Sequence, residues 1–265
     1  MFNQANLIVA GIYGLIALIL VLWESRSSAF PVPRSRSQRW PSNIGVSIIN
    51  RVLLQVTTTA YLTNFAYIAW KNHWGLLNQW DLDPVLSFVI SFLLLDLAGY
   101  FLHWLFHRFG FLWRIHRLHH TDTAVDISTS VRFHPLEAFL SLAYDLGTVY
   151  LLGPSFIAFF INDILVFITA LFNHSNISLH SRPDRIIRWI TPTPTFHHIH
   201  HSWDRVEADS NFAIILTCWD RLFGTFREHP RSPYDRLRMG VEGFDSPEDL
   251  KLPRMLALPF LGKKQ

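Results

Sequence analysis

Long uncharged runs alternate with short polar segments along the first two thirds of the chain. The run at 7–23 is just long enough for a membrane helix, and further spans are predicted at 44–70, 84–106, 136–152 and 154–172. The last two form a predicted helical hairpin, because the pair Gly153-Pro154 between them breaks helices. The pattern predicts an all-α fold: a polytopic membrane bundle of four to five spans with a histidine-rich helical cap.

The polar segment at 24–40 sets the predicted orientation in the membrane. It carries Arg26, Arg34, Arg36 and Arg39, and the positive-inside rule places such a segment in the cytoplasm. The later spans then bring residues 103–120 and the C-terminal third to the cytoplasmic side as well. The predicted divisions are N-terminal spans at 1–83, a catalytic domain at 84–230 and a cytoplasmic tail at 231–265.

Composition supports a lipid-facing protein, and the predicted location is either a bacterial inner membrane or the endoplasmic reticulum. Only 16% of the residues are charged, against about a quarter in a typical soluble domain. The net charge of +3 includes no long basic run, so nucleic-acid binding has little support. A single cysteine, Cys218, excludes an internal disulfide and an iron–sulfur cluster.

Histidine is the unusual residue type in this chain. Most of its 14 histidines fall in tight groups, and their spacings place them on common helical faces. These groups are HxxxH (His103, His107), HxxHH (His116, His119, His120), a single His174, and a second HxxHH (His197, His200, His201). His198 falls outside the spacing and is predicted not to be a ligand, while His73 and His229 are predicted bystanders.

Nine histidines on one membrane face are too many for a single catalytic metal, which rarely takes more than three or four imidazoles. They suit two metals, and imidazole nitrogen alone leaves iron, zinc and copper open. The alternatives are a metal-ion transporter, for which Asp145 and Asp163 in the hairpin are the main support, and a zinc hydrolase. The hydrolase lacks the expected glutamate beside the ligands, and transport sites normally lie near the bilayer midplane.

The order of these boxes resembles the fatty acid hydroxylase/sterol desaturase superfamily of membrane oxygenases. The likeness runs from Asp96 to about Phe226, roughly half of the chain. It includes Asp96 and Tyr100 before the first box, RFHPLE around His134, HSN at 174–176 and WDRLFGTF at 219–226. Ala213 and His198 depart from the pattern without touching the predicted ligands.

The resemblance implies an enzyme in which the nine histidines bind two iron ions and use O2 to hydroxylate or desaturate a lipid. No dinucleotide, flavin or fused cytochrome motif is visible, so a separate donor is predicted: a ferredoxin, a cytochrome b5-like protein or a reductase. Arginines near the boxes either offer such a donor a docking face or bind anionic lipid head groups and enforce the topology: Arg108, Arg114, Arg117, Arg182, Arg185 and Arg188.

Three further residues are candidates for support of the site. Asp96 is a costly carboxylate within a predicted span, and we expect it to orient a ligand imidazole through a hydrogen bond. Tyr100 lies one turn further along and is assigned the same kind of role. His134 is a candidate either as a ligand or as a partner of one.

Overall fold

Helices make up nearly all of the regular structure. The computed structural model of the protein describes residues 4–30, 34–54 and 59–262. The helices are α1 (Gln4–Arg26), α2 (Arg36–Leu53), α3 (Thr59–Lys71), α4 (Pro84–Arg108), α5 (Gly110–His120), α6 (Pro135–Leu152), α7 (Phe156–His174), α8 (Ser181–Ile187), α9 (Pro194–His200), α10 (Arg205–Ala208), α11 (Cys218–Leu222) and α12 (Leu252–Ala257). No β-strand occurs in these ranges, where the only pairings of this kind are two isolated bridges. The prediction of an all-α fold is confirmed.

Two of the described helices, α4 and α7, are long and apolar enough to cross a membrane. Both were predicted as spans, and their bounds differ from the prediction by only a few residues. Their outward faces are hydrophobic: Val85 on α4 is 71% exposed and Ile157 on α7 is 63% exposed. Side chains of this kind on an outer surface are expected where the solvent is lipid.

The predicted span at 44–70 is wrong as a single helix. The chain forms two helices here, α2 and α3, and the residues between them, 55–58, lie outside the described part. The 13 residues of α3 reach about 20 Å at 1.5 Å per residue, which is less than the thickness of a bilayer core. Helix α2 buries the polar residues Arg39 and Asn43, which a lipid-facing span would not do.

The basic segment at 24–40 was predicted as a cytoplasmic loop, but Arg39 lies in α2 and is buried. Its guanidinium is fully buried, 3.0 Å from a carboxylate oxygen of Asp122, and it also pairs with Asp126. Asn43 donates a further hydrogen bond to Asp122 over 3.0 Å. A buried arginine is stable only when paired in this way. This ion-pair cluster fixes α2 against the segment that follows α5.

The predicted helical hairpin is confirmed. Helix α6 ends at Leu152, Gly153 adopts a left-handed conformation with φ of 60°, and α7 begins at Phe156. A Cβ atom on Gly153 would overlap the carbonyl oxygen of Trp74. The position therefore requires glycine for two reasons, the backbone conformation and the close approach of another backbone.

Gly153→Ala is expected to destabilise the protein by about 1–3 kcal/mol, because it combines a strained backbone with this steric overlap. The measurement is the apparent melting temperature in detergent. Gly147→Ala is the matched control, since Gly147 lies in α6 and a Cβ atom added there would meet no neighbouring atom within 4 Å. The control should be neutral or stabilising by up to about 1 kcal/mol. Equal melting temperatures for the two variants would contradict the prediction.

Packing of α3, α4, α6 and α7 forms one core cluster, which contains Leu95, Val149 and Phe159. A second cluster joins α2 and α5 to the C-terminal segment through Leu118, Phe244 and Met255. The C-terminal residues are thus packed against the helices that carry the histidines. The end of α4, the start of α6 and the end of α7 meet α5 and α9 at one end of the bundle.

Candidate metal centre

Nine buried histidines converge at this end of the bundle in two groups. In each group one ring nitrogen from every histidine lies within 4.8 Å of those from the others. The five-histidine group contains His103, His107, His116, His120 and His200. The four-histidine group contains His119, His174, His197 and His201. The nine members are the nine histidines that the sequence predicts as ligands.

Each HxxHH box divides its histidines between the two groups. On α5, His116 and His120 belong to the five-histidine group, while His119 belongs to the other. At α9 the division is reversed, since His197 and His201 enter the four-histidine group and His200 the five-histidine group. Residues four apart lie on one face of a helix, and the neighbouring residue points about 100° away. The motif therefore places one short helix between two sites.

Hydrogen bonds orient five of the nine rings. The Nδ1 atom of each lies 2.6–3.1 Å from an oxygen acceptor, so it carries the proton and Nε2 keeps its lone pair. The acceptors are the carboxylates of Glu137 for His116 and Asp209 for His107, and the carbonyl oxygens of Phe212 for His103, Ala170 for His174 and Ser210 for His200. Metal-binding histidines usually have partners of this kind.

The free nitrogens point at one another. Nε2 of His174 lies 2.9 Å from Nε2 of His119 and 3.0 Å from Nε2 of His197. Nε2 of His107 lies 3.1 Å from Nε2 of His120. Nitrogens bound to one metal at about 2.0–2.1 Å are spaced about this far apart. A buried space surrounded by imidazole nitrogens at this spacing suits a cation, so the histidines fit a bound metal.

The electrostatic environment keeps His119, His120 and His201 neutral. Burial lowers the pKa of His120 well below its usual value, and the charge of His201 and other histidines lowers it further. Burial and neighbouring histidines have the same effect on the pKa of His119 and of His201. A neutral imidazole is the form that binds a metal ion, so no proton has to be removed near pH 7.

Asp96 and Tyr100 do not contact the histidines, so the predicted hydrogen bond from Asp96 to an imidazole is wrong. Both oxygens of Asp96 are occupied by the backbone N–H groups of Ile215 and Leu216, at 3.0 and 3.1 Å, and by the indole of Trp219. The Tyr100 hydroxyl lies 2.8 Å from that of Thr225. Both residues anchor the segment 209–225, which supplies acceptors to the ligand rings.

Histidines outside the two groups have structural partners or are exposed. His134 caps α6: its Nδ1 accepts from the N–H of Leu136 and its Nε2 donates to the carbonyl of Leu256. It is therefore neither a ligand nor the partner of one. His198 makes a 2.7 Å hydrogen bond to the hydroxyl of Tyr234 and lies outside both groups, as predicted. The remaining three are exposed: His73, His180 and His229.

A cavity of about 430 Å³ lies between the histidines and the helices of the bundle. His103, His116, His119, His174 and His197 form part of its wall. Helix α4 contributes a hydrophobic wall with Leu95, Leu102 and Phe106. A hydrocarbon chain that enters this cavity would place a carbon atom next to both histidine groups.

Sequence reasoning missed three carboxylates with positioning roles. Glu137 and Asp209 hold ligand rings, and Asp220 accepts from the N–H groups of Phe212 and Ala213 at 2.8 and 2.9 Å. Glu137 and Asp220 lie within the motifs RFHPLE and WDRLFGTF, which were noted without a role for either. The carbonyl acceptors leave no signal in the sequence, because any residue type supplies a carbonyl.

Glu137→Leu is expected to lower metal affinity by about 10–100-fold, because the Nδ1 of His116 loses its 2.6 Å acceptor. Glu137→Gln keeps an acceptor of the same shape and should lose much less. The measurement is metal retained by purified protein against a chelator of known affinity. An equal loss in both variants would show that the hydrogen bond is not the cause.

The fold and the site together define the class of protein. It is all-helical, has two helices apolar enough to cross a membrane, and has a candidate metal centre of buried histidines. A sequence profile named fatty acid hydroxylase matches residues 88–225, just over half of the chain. The chain therefore belongs to the fatty acid hydroxylase family. The matched range contains all nine grouped histidines.

Characterised proteins with related sequences are oxygenases by name. The chain is 27% identical over 213 residues to alkylglycerol monooxygenase of Danio rerio, which covers 80% of this chain and 45% of that protein. It is 32% identical over 163 residues to ornithine lipid hydroxylase OlsE of Rhizobium tropici, which covers 61% of this chain and 46% of that protein. The identity to methylsterol monooxygenase 1 of Rattus norvegicus is 26%, and the match covers 73% of this chain and 64% of that protein.

The chain spans about half the length of the first two of these relatives. No solved structure matches it.

Proposed function

We propose that this protein is a membrane-embedded, O2-dependent di-iron enzyme that hydroxylates a lipid, with desaturation as the related outcome. The observation that carries the proposal is that members of both histidine groups line one cavity together with many hydrophobic side chains. Family membership and the names of the relatives support the same reaction type. The substrate class is lipid: fatty acyl, sterol, sphingoid and ether lipids all offer the hydrocarbon that the cavity wall suits.

The five-histidine group would hold one iron and the four-histidine group the other. Bound iron supplies the reductive activation of O2 that breaking an unactivated C–H bond requires. In hydroxylation, one oxygen atom forms the new C–O bond, and the other leaves as water with two electrons and two protons from outside. The histidines and their Nδ1 partners fix the position of both metals, and the cavity wall excludes bulk water from the substrate carbon.

We propose a cytoplasmic site and four to five spans, with α4, α6 and α7 as the central ones. The catalytic domain would cover 84–230, between N-terminal spans at 1–83 and the C-terminal part at 231–265. An exposed apolar patch on α8 and α11 supports a membrane contact for the cap, since Ile186, Trp189 and Leu222 are each more than 60% exposed. Phe223 continues the patch onto α4, with its ring centroid 5.1 Å from that of Phe101.

Electrons would come from a separate donor with an acidic face. Two of the six predicted docking arginines are occupied inside the protein: Arg117 donates to the carbonyl oxygens of Leu258 and Leu261, and Arg188 is buried beside Asp184. A third, Arg114, is exposed but donates to the carbonyl oxygen of Pro259 over 2.8 Å. Arg108, Arg182 and Arg185 are exposed. We therefore assign the docking face to these three arginines. The donor would be a ferredoxin, a cytochrome b5-like protein or a reductase.

The test uses protein produced in iron-57 medium and purified in detergent. We expect about two irons per chain, as nine ligands require, and a Mössbauer spectrum of a coupled pair after anaerobic handling. With a chemical reductant and a mixed lipid extract, mass spectrometry should detect products heavier by one oxygen, labelled by ¹⁸O2. Metal uptake into vesicles without O2 consumption would instead support a transporter.

A further inference from the structure

A polar stripe follows one face of helix α6 into the cavity. Glu137, Ser141, Asp145 and Thr148 occupy positions i, i+4, i+8 and i+11, and all four line the cavity. This spacing places them on one face of a helix. From α4 the cavity is lined by Leu95, Leu102 and Phe106, together with the carboxylate of Asp96, whose oxygens already accept from the backbone and from an indole. The cavity is therefore suited to an occupant that carries a polar group as well as hydrocarbon.

Two carboxylates lie deep in this cavity, far from the histidines. Asp145 is eight residues beyond Glu137 on α6, which is about 12 Å along the helix axis. Asp163 is 11 residues before His174 on α7, or about 16 Å. Both line the cavity, and they are close enough to interact electrostatically. Helices α6 and α7 thus each place a carboxylate on the cavity wall, at a similar distance from the histidines.

Neither carboxylate has a cationic partner within the part of the chain that the structure describes, where no hydrogen bond or ion pair joins either one to another group. Apart from each other, the two carboxylates have two tyrosines as titratable neighbours. Tyr13 lies beside Asp163, and Tyr144 lies beside Asp145. Two more polar atoms on the cavity wall are buried without partners among the described residues, Nδ2 of Asn162 and Oδ1 of Asn173.

Carboxylates in an apolar environment are costly unless a partner compensates them. The protein leaves these two facing a space that its substrate must enter. A cationic group on that substrate would donate hydrogen bonds to the oxygens of both carboxylates and would also compensate their negative charge. A neutral hydroxyl would satisfy a hydrogen bond but leave the charge uncompensated.

We propose that Asp145 and Asp163 bind the ammonium group of an amine-bearing lipid substrate and thereby select the carbon that is oxidised. This inference rests on the proposed function. The amine is held about 12–16 Å from the histidine level, and the hydrocarbon between them lies along the apolar wall of α4. The distance from the nitrogen to the oxidised carbon is then set by the protein and does not change with the total length of the chain.

The binding test uses primary alkylamines, alkyl alcohols and fatty acids of equal chain length as probes, added to the purified protein in nanodiscs. Thermal stabilisation as a function of probe concentration gives an apparent affinity without turnover. We expect the amine to bind more tightly than the alcohol and the acid. Asp145→Asn and Asp163→Asn should each weaken amine binding by about 30-fold or more, the scale for loss of one partner of a buried charge pair. Binding of the alcohol should change little.

Asp81→Asn is the matched control, because Asp81 is exposed and does not line the cavity. It removes the same charge from the chain and should leave all three affinities unchanged. Equal binding of amine and alcohol, or amine binding that both cavity variants retain, would overturn the proposal. So would an aspartate-dependent stabilisation by Mn²⁺ or Zn²⁺ that amines fail to produce, since the pair would then be a metal site.

A turnover experiment on the iron-loaded enzyme tests the spacing. Alkylamines that differ by two carbons should be oxidised at the same number of bonds from nitrogen, as read by fragment masses of the products. A position counted from the methyl end would contradict the fixed distance. Amine binding without any oxidation would refute the proposed function and leave the binding site standing. Lipid oxidation that ignores the amine would refute the site and leave the enzyme standing.

Discussion

Removing two histidines from one group is expected to halve the bound iron and abolish activity. His116→Ala/His120→Ala removes two of the five nitrogens in the five-histidine group, and His197→Ala/His201→Ala removes two of the four in the other. Each variant should keep about one iron per chain, because the untouched group keeps all of its four or five imidazoles, while the altered group is left with only two or three and binds its iron much more weakly. Activity should fall by more than about 100-fold in both, the upper range for loss of a ligand's partner alone.

Iron per chain by elemental analysis and the Mössbauer spectrum measure this result. The signal of the coupled pair should disappear in both variants, while a signal from an isolated iron remains. The double variant His180→Ala/His229→Ala is the control, since both residues are exposed and lie outside the two groups. Loss of all iron from either variant, in protein that remains folded, would show that the groups are not separate sites.

The spacing of the histidines was sufficient to predict which of them come together. HxxxH and HxxHH define faces of helices, and nine of the 14 histidines converge as those faces require. The division of each HxxHH box between two groups follows from the same helical geometry. It was not predicted, because the direction of the neighbouring ring matters only when the surrounding helices are known.

Contacts between distant segments could not be predicted from the sequence. Asp96 was expected to serve an imidazole, yet it binds backbone N–H groups more than 100 residues away. His134 was a candidate ligand and instead caps a helix. In both cases the residue type allowed several partners, and tertiary packing decided between them.

The basic segment at 24–40 shows why charge patterns alone mislead. Arginines in a polar stretch were interpreted as a topological signal, but Arg39 lies in α2 and is fully buried. Its partners Asp122 and Asp126 follow the first HxxHH box by only a few residues. The sequence contains no local feature that distinguishes an arginine paired at such a distance from one that faces the cytoplasm.

The pKa of Asp122, one of the carboxylate partners of Arg39, lies below its usual value. Burial alone would raise the pKa of Asp122, but the charges of Arg39 and Arg132 hold it below the usual value. A carboxylate with a depressed pKa stabilises the folded state above its unfolded pKa, which is about 3.9, and loses that contribution as the pH falls through the folded pKa. Near neutral pH the pair therefore contributes its full effect.

Arg39→Met is expected to destabilise the protein by about 3–5 kcal/mol at pH 7, because it leaves Asp122 and Asp126 as buried charges without their partner. The free energy of unfolding in detergent measures this effect. Arg231→Met is the control: Arg231 lies 2.8 Å from Asp204, but both side chains are exposed to solvent, and such pairs contribute little to stability. The substitution should also perturb the histidine groups, because the loop after His120 is no longer held against α2. If Arg39→Met were no less stable than Arg231→Met, the ion-pair cluster could not be what holds α2 against the histidine-bearing helices.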